Sequence, residues 1–384
     1  MGTGAMRSLS IGPGAAALQA SYRLLGAYFQ GIAGSLYSKA SAFFDPLFLG
    51  ARRMNRPPKE FKRVPADQLR AFGQAVMEGA GMPTAHAAQL AELLTKSSLR
   101  GVNSHGIRAI GGYSRMVHRG HVNPTPEIAL LKETDTAVLV DGDGGLGYAP
   151  MMEATERAII KAKDKGMGAG AACHIGHYGS AGHYVRRAME EGCIGFSVQG
   201  KHPMYYDDNK DKPAAYLGNP PLCFGMAAEE GAPIVLDGAT CIMADYQRGE
   251  EFDALQEQIP AAFFKSMGYS AVGTVLGGAF VGQNNERAKA VQEQWPGARL
   301  GGMVFVMRAD LFAPLGEMLG GVTDMVQGVA EMEPVRGYKE ALLPGGMEHR
   351  LEGEYRRLGV PMDTEMLQRL EETGRTFGVE APWI

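Results

Sequence analysis

The sequence predicts a mixed α/β (α+β) fold in which helices come first, strands and helices alternate through the middle, and a helical tail follows. Three observations carry this. Helix-period segments without strand signals occupy the stretch before Thr136. Between Thr136 and Val198 short apolar runs alternate with amphipathic stretches, as in strands covered by helices. And 45% of the 384 residues are hydrophobic against 21% charged, enough to fill the core of one to three domains.

Residues 1–60 read as an extension. Up to Phe44 the chain has no Asp or Glu, carries Arg7, Arg23 and Lys39, and repeats Leu18, Tyr22, Leu25, Phe29 and Ile32 at helical spacing. Such a lead suits a packing arm, an organelle transit segment or a membrane-surface helix. No apolar run reaches the roughly 20 residues that span a bilayer, so membrane association is not favoured. Cytoplasm is the default location, an organelle the alternative. Arg52, Arg53, Pro57 and Pro58 look like a linker.

Residues 61–135 form a helical subdomain. Asp67 is placed to cap a helix that turns Leu69, Phe72 and Val76 inward and stops at Gly79–Gly81; Thr84 is placed to cap a second helix up to Leu99. A third follows Gly106, with Ile107, Ile110, Tyr113 and Val117 on one face. Residues 136–330 form the α/β domain that carries cofactor and substrate. Its strands are expected at Ala137–Val140, Met167–Ala172, Ile194–Val198, Leu222–Met226, Ile234–Leu236 and Met303–Met307, with helices near 151–165 and 180–190. Residues 331–384 read as a charged helical tail, broken at Pro344, Gly345 and Gly346, that returns to cover the body.

The formal net charge of −4 and the lack of a long Lys/Arg run exclude a nucleic-acid backbone as partner and leave a small molecule. Cys173, Cys193, Cys223 and Cys241 are widely spaced, which argues against a zinc knuckle and a disulfide framework. Glycine, at 53 residues, is about twice average usage, as turns between many short elements require.

Two glycine clusters stand out. Gly142, Gly144 and Gly147 follow an apparent strand, precede a helix and have Asp164 downstream, which imitates a Rossmann fingerprint. Asp143 inside the loop would repel phosphate, so the glycines read as a tight turn. The second cluster, His177-Tyr178-Gly179-Ser180-Ala181-Gly182, opens a helix whose backbone N–H groups suit an anion such as a cofactor phosphate. Upstream, Ser104-His105-Gly106 with Tyr113 places an imidazole at a helix start, where it can exchange protons near neutral pH. His174 and His183 are conceivable metal ligands, but no carboxylate or Cys spacing accompanies them, and no metal is expected.

The order Arg100-Gly101, Ser104-His105-Gly106, Tyr113, Gly120, Asp141-Gly142, Gly147, His177-x-Gly-x-Ala-Gly182, Gly218-Asn219-Pro220, Asp237-x-Ala239-Thr240 and Lys265 resembles the type 2 malate/L-lactate dehydrogenase family from about residue 64 onward. The resemblance implies a non-Rossmann fold with a large mixed sheet, NAD or NADP as cofactor, and a homodimer or higher homo-oligomer whose partner helps complete the site. It makes His105 the general acid/base, with Ser104, Tyr113, His177 and Lys265 beside it. It sets Gly179, Gly182, Asn219, Asp237 and Thr240 at the cofactor. The implied reaction moves a hydride between the nicotinamide and a small 2-hydroxy or 2-oxo acid.

The chain departs from that pattern on the ligand side. Where the family has Arg four residues after the histidine, this chain has Ala109, with Arg108 one position earlier, about 100° away on a helix. The stretch between Asp237 and Lys265 is shortened; Ser266 replaces a glycine, Cys241 and Tyr246 replace Ser and Gly, and Lys201 and His202 stand before Pro203. Arg108 and Lys201 are the candidate substrate cations. The alternative is a cofactor-free lyase, hydratase or isomerase working through His105, His177, Lys201 and Tyr113, or a silent partner subunit.

Overall fold

A computed structural model describes residues 57–201, 219–242 and 249–383. The expectations for the extension up to residue 56, and for His202, Gly218 and Tyr246, lie outside the described residues. Strand β1 (Lys62–Val64) leads into α1 (Ala66–Gly79) and α2 (Thr84–Leu99). Both helices are capped by proline, Pro65 and Pro83, which places Asp67 and Thr84 inside the first turn rather than at the cap. The chain then makes two 3-10 turns, Asn103–His105 and Ile107–Ala109, before α3 (Ile110–His118).

The sheet follows: β2 (Ala129–Glu133), β3 (Ala137–Asp141), α4 (Tyr148–Lys165), β4 (Met167–Ile175), α5 (Gly182–Glu190), β5 (Cys193–Lys201), β6 (Pro221–Met226) and β7 (Ile234–Ala239). After α6 (Glu250–Gln258), α7 (Pro260–Gly277) and α8 (Glu286–Gln294) comes β8 (Leu300–Arg308). The tail comprises α9 (Leu315–Ala330), α10 (Gly346–Leu358), β9 (Val360–Met362) and α11 (Thr364–Thr376). Among the described residues no helix is long and apolar enough to cross a membrane.

Seven strands form one mixed sheet in the order β2-β3-β4-β8-β5-β6-β7, in which only β3 and β4 run parallel. The late strand β8 inserts between β4 and β5 and joins the two halves. Its side chains alternate by the strand period: Val304 and Val306 enter the core under α4 and α5, while Met303 enters the core on the α7 side. Helix contact on both faces is close enough to demand glycine. A Cβ on Gly170 would lie 2.1 Å from the Ala154 carbonyl oxygen of α4, and one on Gly277 of α7 would lie 2.1 Å from the Gly200 nitrogen of β5.

A separate core gathers the amino-terminal helices and the tail: Leu69, Phe72, Leu90, Leu94, Ile107 and Ile110 pack with Leu351, Tyr355, Leu370 and Trp383. β1 pairs with β9 at its edge. The turn carrying His105 is thereby pressed from the helical layer toward the carboxyl end of β4.

The first glycine cluster is a turn and not a phosphate cradle. It sits in a β3-α4-β4 crossover, but its space is filled: a Cβ on Gly144 would meet Trp295 at 2.2 Å, one on Gly145 would meet Pro126, and one on Gly147 would meet Tyr178. Asp143 occupies the left-handed region at φ 46° and binds the Asn123 amide, and Asp164 lies at the far end of α4, paired with Lys165.

Candidate active site

His105 ends a 3-10 turn that packs closely on α2 at Gly106: a Cβ there would lie 2.4 Å from the Ser98 hydroxyl. That hydroxyl accepts the Ile107 N–H at 2.8 Å and donates to the Leu94 carbonyl, so α2 holds the turn in place. Ser104 Oγ lies 2.9 Å from His105 Nδ1. When Nδ1–H donates to the serine oxygen, Nε2 keeps the lone pair that can take up a proton. Burial pulls the His105 pKa below its ordinary value, and the negative charge of Asp237 pulls it back up.

His177 follows β4, and its ring stacks on His105 with centroids 5.5 Å apart. Its Nδ1 is 2.6 Å from the Tyr113 hydroxyl and accepts the Gly179 N–H at 3.2 Å; Tyr148 in turn donates to Tyr113 at 3.1 Å. An Nδ1 that accepts from the backbone puts the neutral ring's proton on Nε2. Burial, with His105 adjoining, lowers the His177 pKa to about 4, so it stays neutral at pH 7. Burial raises Tyr113 to about 12, which keeps its proton on the phenol. The result is two neutral imidazoles, one backed by serine and one by a tyrosine pair.

Asp237, on β7, accepts hydrogen bonds from Ser180 Oγ at 2.5 Å and Gly182 N at 2.8 Å. It therefore stands at the amino terminus of α5, where an anion is favoured. This differs from the sequence expectation: the Gly179 and Gly182 N–H groups are spent on His177 and Asp237 and not presented to a phosphate. Asn219 Oδ1 accepts the Cys241 N–H, and Thr240 donates to the Pro220 carbonyl while Ser270 donates to it and Ser266 donates to the Thr240 carbonyl. Asn219, Thr240 at the end of β7, and Ser266 and Ser270 of α7 thus form one hydrogen-bonded polar wall.

The remaining candidates lie farther out. Lys265 is exposed on α7 and makes no ion pair among the described residues. Lys201 ends β5 opposite Leu300. Arg108 lines a cavity of about 310 Å³ with Gly111, Gly112 and Arg115 of α3 against Arg369 and Thr373 of α11, while Ala109 packs on the helical core. Among the described residues no hydrogen bond or ion pair joins Arg108 or Lys265 to the two histidines. Tyr148 carried no motif signal; it sits one residue beyond the glycine turn, and only the fold brings it behind Tyr113.

His174 and His183 part company. His183 is buried against Ser97 at 3.3 Å and beside Tyr148. His174, at φ 55°, lies with Asp141 and Cys173, their ligand-type atoms all within 4.8 Å, so a carboxylate and a thiol do accompany it in space. The parallel pairing of Asp141 with Cys173 makes that cluster, which sequence spacing could not show. Asp141 accepts from His174 Nδ1 at 2.9 Å and from the Asp143 N–H, and Arg287 stands 3.6 Å from its other oxygen. The arrangement pins the glycine turn.

The chain matches the malate/L-lactate dehydrogenase profile over residues 64–260. It is 28% identical to malate dehydrogenase of Pyrococcus horikoshii over 84% of this chain and 97% of that one. It is 27% identical to L-sulfolactate dehydrogenase of Methanocaldococcus jannaschii over the same shares. Ureidoglycolate dehydrogenase (NAD(+)) of Escherichia coli O157:H7 is 23% identical over 69% of this chain and 82% of its own. The solved structure of the Pyrococcus horikoshii enzyme superposes with a TM-score of 0.72 at 26% identity, covering 85% of this chain and 98% of that one.

Proposed function

The chain belongs to the malate/L-lactate dehydrogenase family, and from that premise we propose that it is an oxidoreductase acting on the CH–OH group of a small 2-hydroxy acid, with NAD or NADP as partner in the hydride transfer. The names of its relatives, which act on malate, sulfolactate and ureidoglycolate, support the substrate class, and one names NAD(+). The observation that carries the reading is the neutral His105–His177 stack beside Asp237.

The polar wall fits an uncharged carboxamide-bearing ring: the exposed Asn219 has its amide N–H groups unspent among the described residues, and the end of β7 adds backbone groups. Asn219 and residues 237–241 would hold the nicotinamide, which supplies or accepts the hydride when bound. The chain's own work is proton transfer and positioning. In the reducing direction the imidazolium form of His105 gives its Nε2 proton to the carbonyl oxygen of a 2-oxo acid, leaving the neutral ring with its remaining proton on Nδ1 toward Ser104; in the reverse direction the neutral Nε2 takes the proton from the alcohol. Asp237 stabilises the imidazolium form that His105 passes through. His177, its Nδ1 fixed by Tyr113 and Gly179, offers Nε2–H as a second donor to the same oxygen. Carboxylate recognition falls to a cation other than the family's missing arginine; Arg108, Lys201 and Lys265 are the candidates.

We also infer a homodimer. The outer face of α7 exposes Phe264, Val272 and Val275 at helical spacing, together with Tyr269 and Phe280, an apolar stripe that an isolated soluble surface rarely shows.

The test is a screen of 2-oxo acids for oxidation of NADH and NADPH by the purified protein and by His105→Ala. Turnover by the wild type that falls about a hundredfold or more in the variant supports the reading; full activity in the variant overturns the assignment of His105.

A further inference from the structure

We propose that a cavity between α5, the end of α2 and the β6–β7 turn binds a small organic oxyanion, a phosphomonoester or a carboxylate, gripped by the guanidiniums of Arg186 and Arg100. The cavity has a volume of about 270 Å³ and lies apart from the His105–His177 pair. Arg100 and Arg186 reach it from two elements, and Met189, Ala227, Ala228 and Pro233 give it an apolar wall.

Charge compensation around it is lopsided. Arg187, the next residue, is bound by Glu156 at 2.6 and 3.0 Å and by Glu191 at 2.8 Å. Arg100 holds Glu352 at 2.8 Å, and Glu352 also serves Arg356. Arg186 is only partly exposed, yet among the described residues no side chain bonds or ion-pairs with it. Burial and the like charge of Arg100 pull its pKa down to about 10, while Glu352 and Glu348 act on it only from a distance. Glu190, which also lines the cavity, leans toward Arg187 at 3.6 Å with a side chain 56% exposed.

A guanidinium withdrawn from water without a counter-ion is a costly arrangement that a ligand can relieve. Its planar fork matches a carboxylate or phosphoryl group bidentately, and Arg100 beside it raises the attraction. The apolar wall selects an anion with a carbon skeleton over an inorganic one, and the volume limits it to metabolite size.

Calorimetric titration of the full chain without nicotinamide tests this, with glycerol 3-phosphate as the phosphoryl probe, succinate as the carboxylate probe and inorganic phosphate as the comparison. We expect one organic probe to bind at least about tenfold tighter than inorganic phosphate, and Arg186→Gln to weaken it about tenfold or more, the loss of a charge-assisted bidentate contact. His105→Ala should leave that binding unchanged, which separates this cavity from the active site. Arg186→Gln should melt no lower than the wild type; should it fail to fold, Arg186→Lys, which keeps the charge and loses the fork, is expected to weaken binding several-fold. Equal affinity for inorganic phosphate, meaning an adventitious ion only, overturns the proposal. So does affinity that survives loss of the Arg186 fork, or no binding of either organic probe at about ten millimolar.

Discussion

Acidification should destabilise this protein through His177, by an amount the structure sets. In an unfolded chain the imidazole titrates near 6.5; in the fold, burial and His105 lower it to about 4. The folded state therefore binds fewer protons than the unfolded one between those values, so stability is complete above pH 6.5 and drains away as the pH falls toward 4. A gap of about two and a half units, at about 1.4 kcal/mol each, amounts to between about 3 and 4 kcal/mol, of which about 2 kcal/mol is gone by pH 5. His183, fully buried and lowered well below its ordinary value, works in the same direction. His177→Gln leaves the His183 share and removes the other, since glutamine does not titrate and its side-chain oxygen can still accept from Tyr113. Urea midpoints of wild type and variant, measured from pH 7.5 to 4.5, should converge as the pH falls. Parallel curves would refute the burial and hydrogen bonding assigned to His177.

His105→Ala should lower turnover by a factor of about 10² to 10⁴ with little change in melting temperature, because the ring is partly exposed; parallel kinetics and thermal melts check both halves. In the alcohol-oxidising direction the base form of His105 is the active one, so the rate should rise with pH through an apparent pKa below 6.5 and then level off. Asp237→Asn removes the charge that lifts that pKa and should move the rising limb to lower pH; a limb that stays put would detach Asp237 from His105. Gly106→Ala forces a Cβ to within 2.4 Å of the Ser98 hydroxyl and should cost about 1–3 kcal/mol of stability by overpacking, together with lost activity, as denaturation and rate measurements would show.

Much of the sheet was legible because strands β3 through β8 are apolar runs bounded by glycine and polar turns, and each one expected is present with one or both ends extended by one to three residues. Strand β2 gave no such signal: all five of its residues are exposed at the sheet edge. The helices α6 to α9 were equally silent, since their residues turn few side chains into a core; α9 buries only Val322 and Thr323. Proline set the first two helix starts, where Asp67 and Thr84 offered the more familiar capping chemistry.

At the site, residues close in sequence were readable, such as Ser104 with His105. Residues that meet only through strand pairing were not. Asp141, Cys173 and His174 come together across a parallel register, and Asp237 reaches the start of α5 from the edge strand β7. The second glycine turn misled for the same reason, because Asp237, which takes the Gly182 N–H, lies far along the chain, whereas Asp143 inside the first cluster was enough to read that one as a turn.

The central claim is that the polar wall of Asn219 and Thr240 receives a nicotinamide. Titration of the purified protein with NADH and NADPH, followed by nicotinamide fluorescence, tests it most directly. The account expects saturable binding of at least one of the two, retained in His105→Ala. Absence of binding by the folded protein at millimolar cofactor would contradict it and leave proton-transfer chemistry without hydride as the reading of the two histidines.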